Sequence, residues 1–121
     1  MGPEIKKIPA VFYRSSRGIE PVRDWLKDMP EADRRILGFD IAGVEFGWPV
    51  GMPLCKSLAG GLWEVRGRIA RVIFCVAHGR MVLLHGFIKK TPKTPQIDLD
   101  TARKRQKEIE QRRTNIWDHL R

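Results

Sequence analysis

Residues 54–90 contain four short apolar runs separated by glycine-containing turns, and this pattern constrains the fold more than any other part of the chain. The runs read LCKSL, LWEVRGR, ARVIFCVAH and MVLLHGFIKK. They are rich in β-branched and aromatic residues, which is typical of strands. The connections between them are only a few residues long. Because a parallel pair needs a long crossover, neighbouring runs are expected to pair antiparallel, as a meander.

The rest of the chain predicts a first strand and three helices. The segment 7–14, KIPAVFYR, has the composition of a strand. Pro21 suits the first turn of a helix, and apolar residues follow it at helical spacing. A second helix is expected after Pro30 and a third after Pro95. The predicted fold is an α+β domain spanning residues 1–121, with helices packed on one face of a twisted antiparallel sheet.

Several classes of protein find no support in the sequence. No apolar run is long enough to cross a membrane, and the N-terminus lacks the apolar stretch of a signal peptide. We therefore expect a cytoplasmic protein with no membrane partner. Cys55 and Cys75 do not form a CxxC or other metal-binding spacing, and no phosphate-loop or dinucleotide-binding motif is present. No metal and no cofactor are expected.

Positive charge is concentrated in the second half of the chain. The formal net charge is +9, and residues 1–53 contribute nothing to it because eight basic residues balance eight acidic ones. Within residues 54–95, eight basic residues face a single acidic one, Glu64. Such a one-sided field attracts polyanions. It favours a nucleic acid or an acidic protein as partner, since solubility alone would not require the charge to be segregated.

Arginines on the predicted strands are the first candidates for a binding site. Strand alternation directs Glu64, Arg66 and Arg68 to one face, and sets Arg71 at the edge of an otherwise apolar face. A buried arginine requires an anion. One interpretation is a salt bridge to Glu64. The other is an RNA phosphate, which the guanidinium binds in bidentate fashion, because Glu64 is not expected to satisfy both Arg66 and Arg71.

A lysine-rich segment follows the last predicted strand. Lys89, Lys90 and Lys93 lie among two prolines that restrict the loop. If the sheet curls, these lysines are expected to converge with the arginines on one groove. The alternative is an ordinary solvated loop. His85 precedes Phe87 by two residues on the same face; it either transfers a proton near neutral pH or serves as a satisfied strand histidine.

Three short motifs in a fixed order resemble a known toxin family. LWEVR, RVIF and FIKK, followed by a helix containing IDLDTARKR, resemble the phage-derived, Gp49-like branch of the RelE/HigB superfamily. The resemblance implies a small microbial-ribonuclease-like α+β fold and the toxin of a type II toxin–antitoxin system. The activity it implies is ribosome-dependent, metal-independent cleavage of mRNA through attack by the 2′-OH. The implied partners are mRNA on the ribosome and an antitoxin, usually a helix-turn-helix protein, with DNA bound only through the toxin–antitoxin complex.

The resemblance also suggests roles for individual residues. It implies phosphate-binding or catalytic cations at Arg66, Arg71, Lys89 and Lys90. The residues expected to contact RNA are Lys93, Phe87, Arg68, Lys56 and His85. A lysine surrounded by other cations has its neutral form favoured, so Lys89 or Lys90 could act as a base, or remain charged and support the leaving group.

Two departures from the family pattern leave the general acid and base open. Gln96 stands where the family usually has an acidic residue, and only His119 is available in place of its C-terminal tyrosine or histidine. A catalytically inert nucleic-acid-binding or regulatory module, and an interaction protein that binds only an acidic partner, are therefore the alternative functions.

Overall fold

The computed structural model describes the backbone of residues 5–119 and the side chains of residues 5–112, which form five strands and three helices. The strands are β1 (Ala10–Phe12), β2 (Cys55–Ala59), β3 (Leu62–Arg66), β4 (Ala70–Ala77) and β5 (Arg80–Ile88). The helices are α1 (Pro21–Asp28), α2 (Glu31–Gly47) and α3 (Gln96–His119). The predicted elements are thus all present, in the predicted order.

The five strands form one sheet in the order β1-β5-β4-β3-β2. Strands β2 to β5 pair antiparallel with their chain neighbours, which confirms the predicted meander. The prediction of an entirely antiparallel sheet is wrong for β1, which runs parallel to β5 with Ala10 opposite Met81. The whole segment between these two strands serves as the crossover that a parallel pair requires.

Helices cover both faces of the sheet, so the prediction of helices on a single face is wrong. α1 and α2 pack on one face, where Leu37 and Val44 meet Phe74. α3 packs on the opposite face, where Ala102 meets Ile73 and Leu84. The cause lies in β4, whose residues 70–75 are all buried. A strand with apolar side chains on both sides is stable only when both faces are covered.

The helix boundaries follow from local chemistry. α1 begins with Pro21, whose fixed φ suits the first turn and whose missing N–H would have no partner there. Within α1, Trp25 lies so close to β5 that a Cβ at Gly86 would overlap its ring. α3 begins directly after Pro95, so the same proline that ends the lysine-rich loop fixes where this helix starts.

Candidate nucleic-acid interface

Several of the predicted site residues lie on the face of the sheet that α3 covers. Arg71 of β4 lies between Arg66 of β3 and Phe87 of β5, because these three positions pair across the strands. The neighbouring cross-strand row contains Lys56, Glu64 and, beyond Ile73, His85. Residues on the same face of adjacent strands have their Cβ atoms about 5 Å apart. The antiparallel register therefore gathers side chains that are far apart in the sequence.

A buried carboxylate, Glu64, is the centre of this arrangement. Its side chain is 1% exposed, and its Oε1 lies 3.3 Å from Arg66 Nη1 and 4.0 Å from Arg71 Nε. Its Oε2 accepts a 2.7 Å hydrogen bond from Thr94 Oγ1. The expectation that Glu64 could serve only one of the two arginines is therefore wrong. A carboxylate has two oxygens with room for several donors, and the register brings both guanidinium groups to it.

Arg71 is held by protein groups on several sides. Its side chain is 6% exposed, and its Nη1 donates a 2.6 Å hydrogen bond to the carbonyl oxygen of Gly67. Burial, together with the positive charge of Arg66, lowers the pKa of the Arg71 guanidinium, while Glu64 acts in the opposite direction. The salt bridge to Glu64, one of the two interpretations of the sequence, is thus present in the structure.

The loop of residues 89–95, here called the lysine loop, is tied to this cluster. Arg66 Nη2 donates a 3.2 Å hydrogen bond to the carbonyl oxygen of Pro92, and Thr94 bonds to Glu64. The middle and the C-terminal part of the loop are thereby fixed to the sheet. Exposed lysine side chains project from it at Lys89, Lys90 and Lys93. The contacts hold the loop backbone and leave its three ammonium groups to solvent.

A groove of about 410 Å³ lies between β5, the lysine loop and the first turn of α3. Phe87, Lys90, Ile97 and Asp98 are among the residues that line it. Ile97 is 76% exposed, which is unusual for so large an apolar side chain. An aromatic ring with apolar neighbours and an ammonium group can take up an unstacked base and its phosphate. The sequence predicted a groove shared by the lysines and the arginines, whereas neither Arg66 nor Arg71 lines this one, which forms because α3 folds back beside β5.

His85 is engaged on both sides of its ring. Its Nε2 lies 2.6 Å from Asp98 Oδ1, and its Nδ1 lies 3.5 Å from Arg105 Nη1. Arg105 itself donates a 2.7 Å hydrogen bond to the carbonyl oxygen of Leu84. The imidazole also stacks against Phe87, with ring centroids 5.9 Å apart. These contacts fasten α3 to β5 and orient the Phe87 ring, which favours the interpretation of His85 as a satisfied strand histidine.

Two predicted RNA contacts lie apart from the lysine loop. Arg68 belongs to the turn between β3 and β4 rather than to a strand, and it is exposed. Lys56 is exposed on β2, opposite Glu64. Among the described residues, no ion pair holds either side chain. Both cations remain available to a long polyanion, while the groove itself is built without them.

The two departures from the family pattern, at Gln96 and His119, both lie in α3, and the structure describes the side chain of the first. Gln96, the first residue of the helix, donates a 2.7 Å hydrogen bond from Nε2 to Asp100 Oδ1. An acidic residue, Asp98, nevertheless lies in the first turn of α3, where it pairs with His85. The side chain of His119 lies outside the described residues.

Within residues 5–112, no group of three or more histidine, cysteine, aspartate or glutamate side chains is arranged to hold a metal ion. The two cysteines are buried and free. Burial raises the pKa of both Cys55 and Cys75 to about 11, so both thiols are protonated at neutral pH. None of the described helices has the length and apolar character of a membrane span.

A comparison with protein-family models gives a match over most of the chain. The family model described as "Phage derived protein Gp49-like (DUF891)" matches residues 24–107. This range includes the last five residues of α1, all of α2, strands β2 to β5 and the first half of α3. It therefore contains the lysine loop and the group of Glu64, Arg66, Arg71 and Thr94, here called the Glu64 cluster. No curated protein matches the chain.

Proposed function

Because the chain belongs to the Gp49-like family of phage-derived proteins, a RelE/HigB-like toxin family, we propose that it is a ribosome-dependent mRNA endonuclease. Membership indicates a toxin of the toxin–antitoxin type and implies an antitoxin partner. The proposal goes further and concerns substrate and reaction. The single observation that carries it is the lysine loop, with three exposed ammonium groups, fixed beside a groove that presents Phe87.

RNA cleavage by the 2′-OH requires an in-line arrangement, stabilisation of charge on the phosphorane and transfer of two protons. In the proposed mechanism, the lysine loop binds phosphates on both sides of the scissile bond. Phe87 stacks a splayed base and so turns the ribose toward the attack geometry. Lys90, at the groove, stabilises the phosphorane and donates a proton to the leaving 5′-oxygen. The base that accepts the 2′-OH proton comes from the lysine loop or from the ribosome.

The two arginines have different roles in this mechanism. The Arg66 side chain is 14% exposed, and one edge of its guanidinium can reach a phosphate without losing Glu64. The Arg71 side chain is 6% exposed and acts indirectly, by holding Glu64 and the turn at Gly67 in position. The phosphate therefore meets a surface whose cations are held in place before the substrate arrives, which lowers the reorganisation needed in the transition state.

The reaction is tested by mapping mRNA 5′ ends after incubation with the protein in a cell-free translation mixture. New 5′ ends within the translated region, absent when the same mRNA is incubated without ribosomes, are the expected result. A 2′,3′-cyclic phosphate on the upstream fragment would follow from attack by the 2′-OH. Unchanged 5′ ends together with normal protein synthesis would refute the proposed activity.

The pairing of Glu64 with both arginines favours a second candidate function, a nucleic-acid-binding module without catalysis. A cluster that neutralises much of its own charge contributes less to phosphorane stabilisation than free arginines would. Such a module would bind single-stranded RNA with a steep salt dependence. The mapping experiment distinguishes the two functions, since this module produces no new 5′ ends at any concentration.

A further inference from the structure

A second groove, of about 320 Å³, lies at the opposite end of β4 and β5 from the lysine loop. Its lining comes from β1, the turn between β4 and β5, and the middle of α3. The floor is largely aliphatic, with Val11, Val82 and Ile109. Six residues of strand separate Ala77 at this groove from Arg71 at the Glu64 cluster, or about 20 Å at the rise of an extended chain. An occupant of this groove therefore need not touch the lysine loop.

The rim of this second groove is basic. Arg14, Arg80 and Arg112 line it, and none of its lining residues is acidic. Arg14 and Arg80 are exposed, and no carboxylate of the described residues lies within ion-pair distance of either. Arg112 lies 3.9 Å from Glu108 and is 41% exposed, so it can also turn to a second anion.

Some exposed arginines have carboxylate partners: Arg35 pairs with Glu31 at 2.9 Å and Arg23 with Glu20 at 3.1 Å, each within or beside its own helix. The groove is distinct because three of its lining residues are arginines, while β1, the β4–β5 turn and α3 contribute no acidic side chain to the lining. Unpaired guanidinium groups around an apolar floor are the complement of a segment that carries both acidic and apolar residues.

We propose that this second groove binds an acidic amphipathic segment of a partner protein. Apolar side chains of the segment cover Val11, Val82 and Ile109, while its carboxylates pair with Arg14 and Arg80. The charge pattern selects an anion, and the aliphatic side chains of Val11, Val82 and Ile109 favour a protein segment whose apolar side chains cover them. Because about 20 Å of strand separates this groove from the Glu64 cluster, to which the lysine loop is tied, the partner and RNA can be bound at the same time.

The proposal is tested by fluorescence anisotropy with a fluorescein-labelled peptide of about 18 residues, bearing leucines at helical spacing and glutamates on the flanks. A scrambled peptide of the same composition controls for charge alone. The double variant Arg14→Glu/Arg80→Glu is compared with Lys89→Glu/Lys93→Glu, which changes the net charge by the same amount at the other end of the sheet. Arg80→Ala is a milder variant, and thermal melts establish that all variants fold.

We expect the groove variant to lose about tenfold or more in peptide affinity and the lysine-loop variant to lose no more than about twofold. Equal losses in both variants, or equal binding of the scrambled peptide, would overturn the proposal, since both outcomes mean general charge attraction. Loss in the lysine-loop variant alone would also overturn it. So would displacement of the peptide by single-stranded RNA in both the wild type and the lysine-loop variant, because RNA would then occupy the groove itself.

This inference does not depend on RNA cleavage. The Arg14→Glu/Arg80→Glu variant is expected to retain whatever cleavage the wild type shows, because neither arginine belongs to the Glu64 cluster or the lysine loop. Peptide binding without cleavage would refute the proposed nuclease and keep the docking groove, and cleavage without peptide binding would do the reverse.

Discussion

Replacing Glu64 with glutamine removes the negative charge at the centre of the proposed interface and keeps the size of the side chain. In the wild type, Glu64 is 1% exposed and lies within 4.0 Å of both Arg66 and Arg71. The Glu64→Gln variant leaves two neighbouring guanidinium groups without a counter-ion. Removing one partner of a buried ion pair costs about 3–5 kcal/mol. We take the lower end, about 3 kcal/mol, because Arg66 is partly exposed and can gain water.

For a domain of this size, 1 kcal/mol corresponds to about 4 °C in Tm, so Glu64→Gln is expected to lower Tm by about 12 °C. Thermal melts followed by circular dichroism, with urea denaturation for the free energy of unfolding, measure the effect. Because Thr94 and Pro92 of the lysine loop are bonded to Glu64 and Arg66, amide exchange in residues 89–95 should also accelerate relative to β4.

The matched control is Glu31→Gln. Glu31 and Arg35 form an exposed ion pair on α2, and such pairs contribute about 0.5 kcal/mol or less. If Glu64→Gln and Glu31→Gln have the same free energy of unfolding, the Glu64 cluster does not hold the interface together. If Glu64→Gln destabilises the protein and the lysine loop exchanges as in the wild type, the loop is positioned by other contacts.

Three further perturbations test the packing, the thiols and the groove. Gly86→Ala should cost about 1–3 kcal/mol in urea denaturation, because a Cβ would overlap the ring of Trp25. Burial raises the pKa of the Cys55 and Cys75 thiols from 9.0 to about 11, so the stability linked to their protonated forms is complete below pH 9 and is lost as pH rises toward 11. Urea denaturation across this interval should show a steeper fall in the wild type than in the double alanine variant. Phe87→Ala should weaken single-stranded RNA binding by about 1–3 kcal/mol in anisotropy titrations, and an unchanged affinity would remove Phe87 from the interface.

The sequence predicted the architecture well where local patterns decide it. Strand alternation and short turns are local signals, and the meander from Cys55 to Ile88 follows from them. The parallel pairing of β1 with β5 depends on the path that the chain takes through α1 and α2, and no local sequence signal determines that path. α3 on the opposite face could have been inferred from β4, since six consecutive buried residues need cover on both sides.

The site could be predicted in its residue types and less well in its geometry. The lysine loop and the cross-strand grouping of Arg66, Arg71 and Phe87 follow from alternation once the register is known. The sequence allowed a salt bridge from Glu64 to one arginine. That Glu64 lies near both Arg66 and Arg71 could not be predicted, because the position of its oxygens relative to the two guanidinium groups is a matter of a few ångströms. Thr94 was missed for the same reason, since its bond to Glu64 spans 30 residues.

A comparison of two double variants tests most directly whether the lysine loop carries out the cleavage. The quantity measured is the yield of new mRNA 5′ ends in a translating extract. Lys89→Ala/Lys90→Ala removes two ammonium groups from the loop, and Lys104→Ala/Lys107→Ala removes two exposed ones from α3. We expect the loop variant to reduce the yield at least about 100-fold, the order seen when charge-stabilising groups are removed, and the α3 variant to stay within about threefold of the wild type. Equal yields from the two variants would contradict the account.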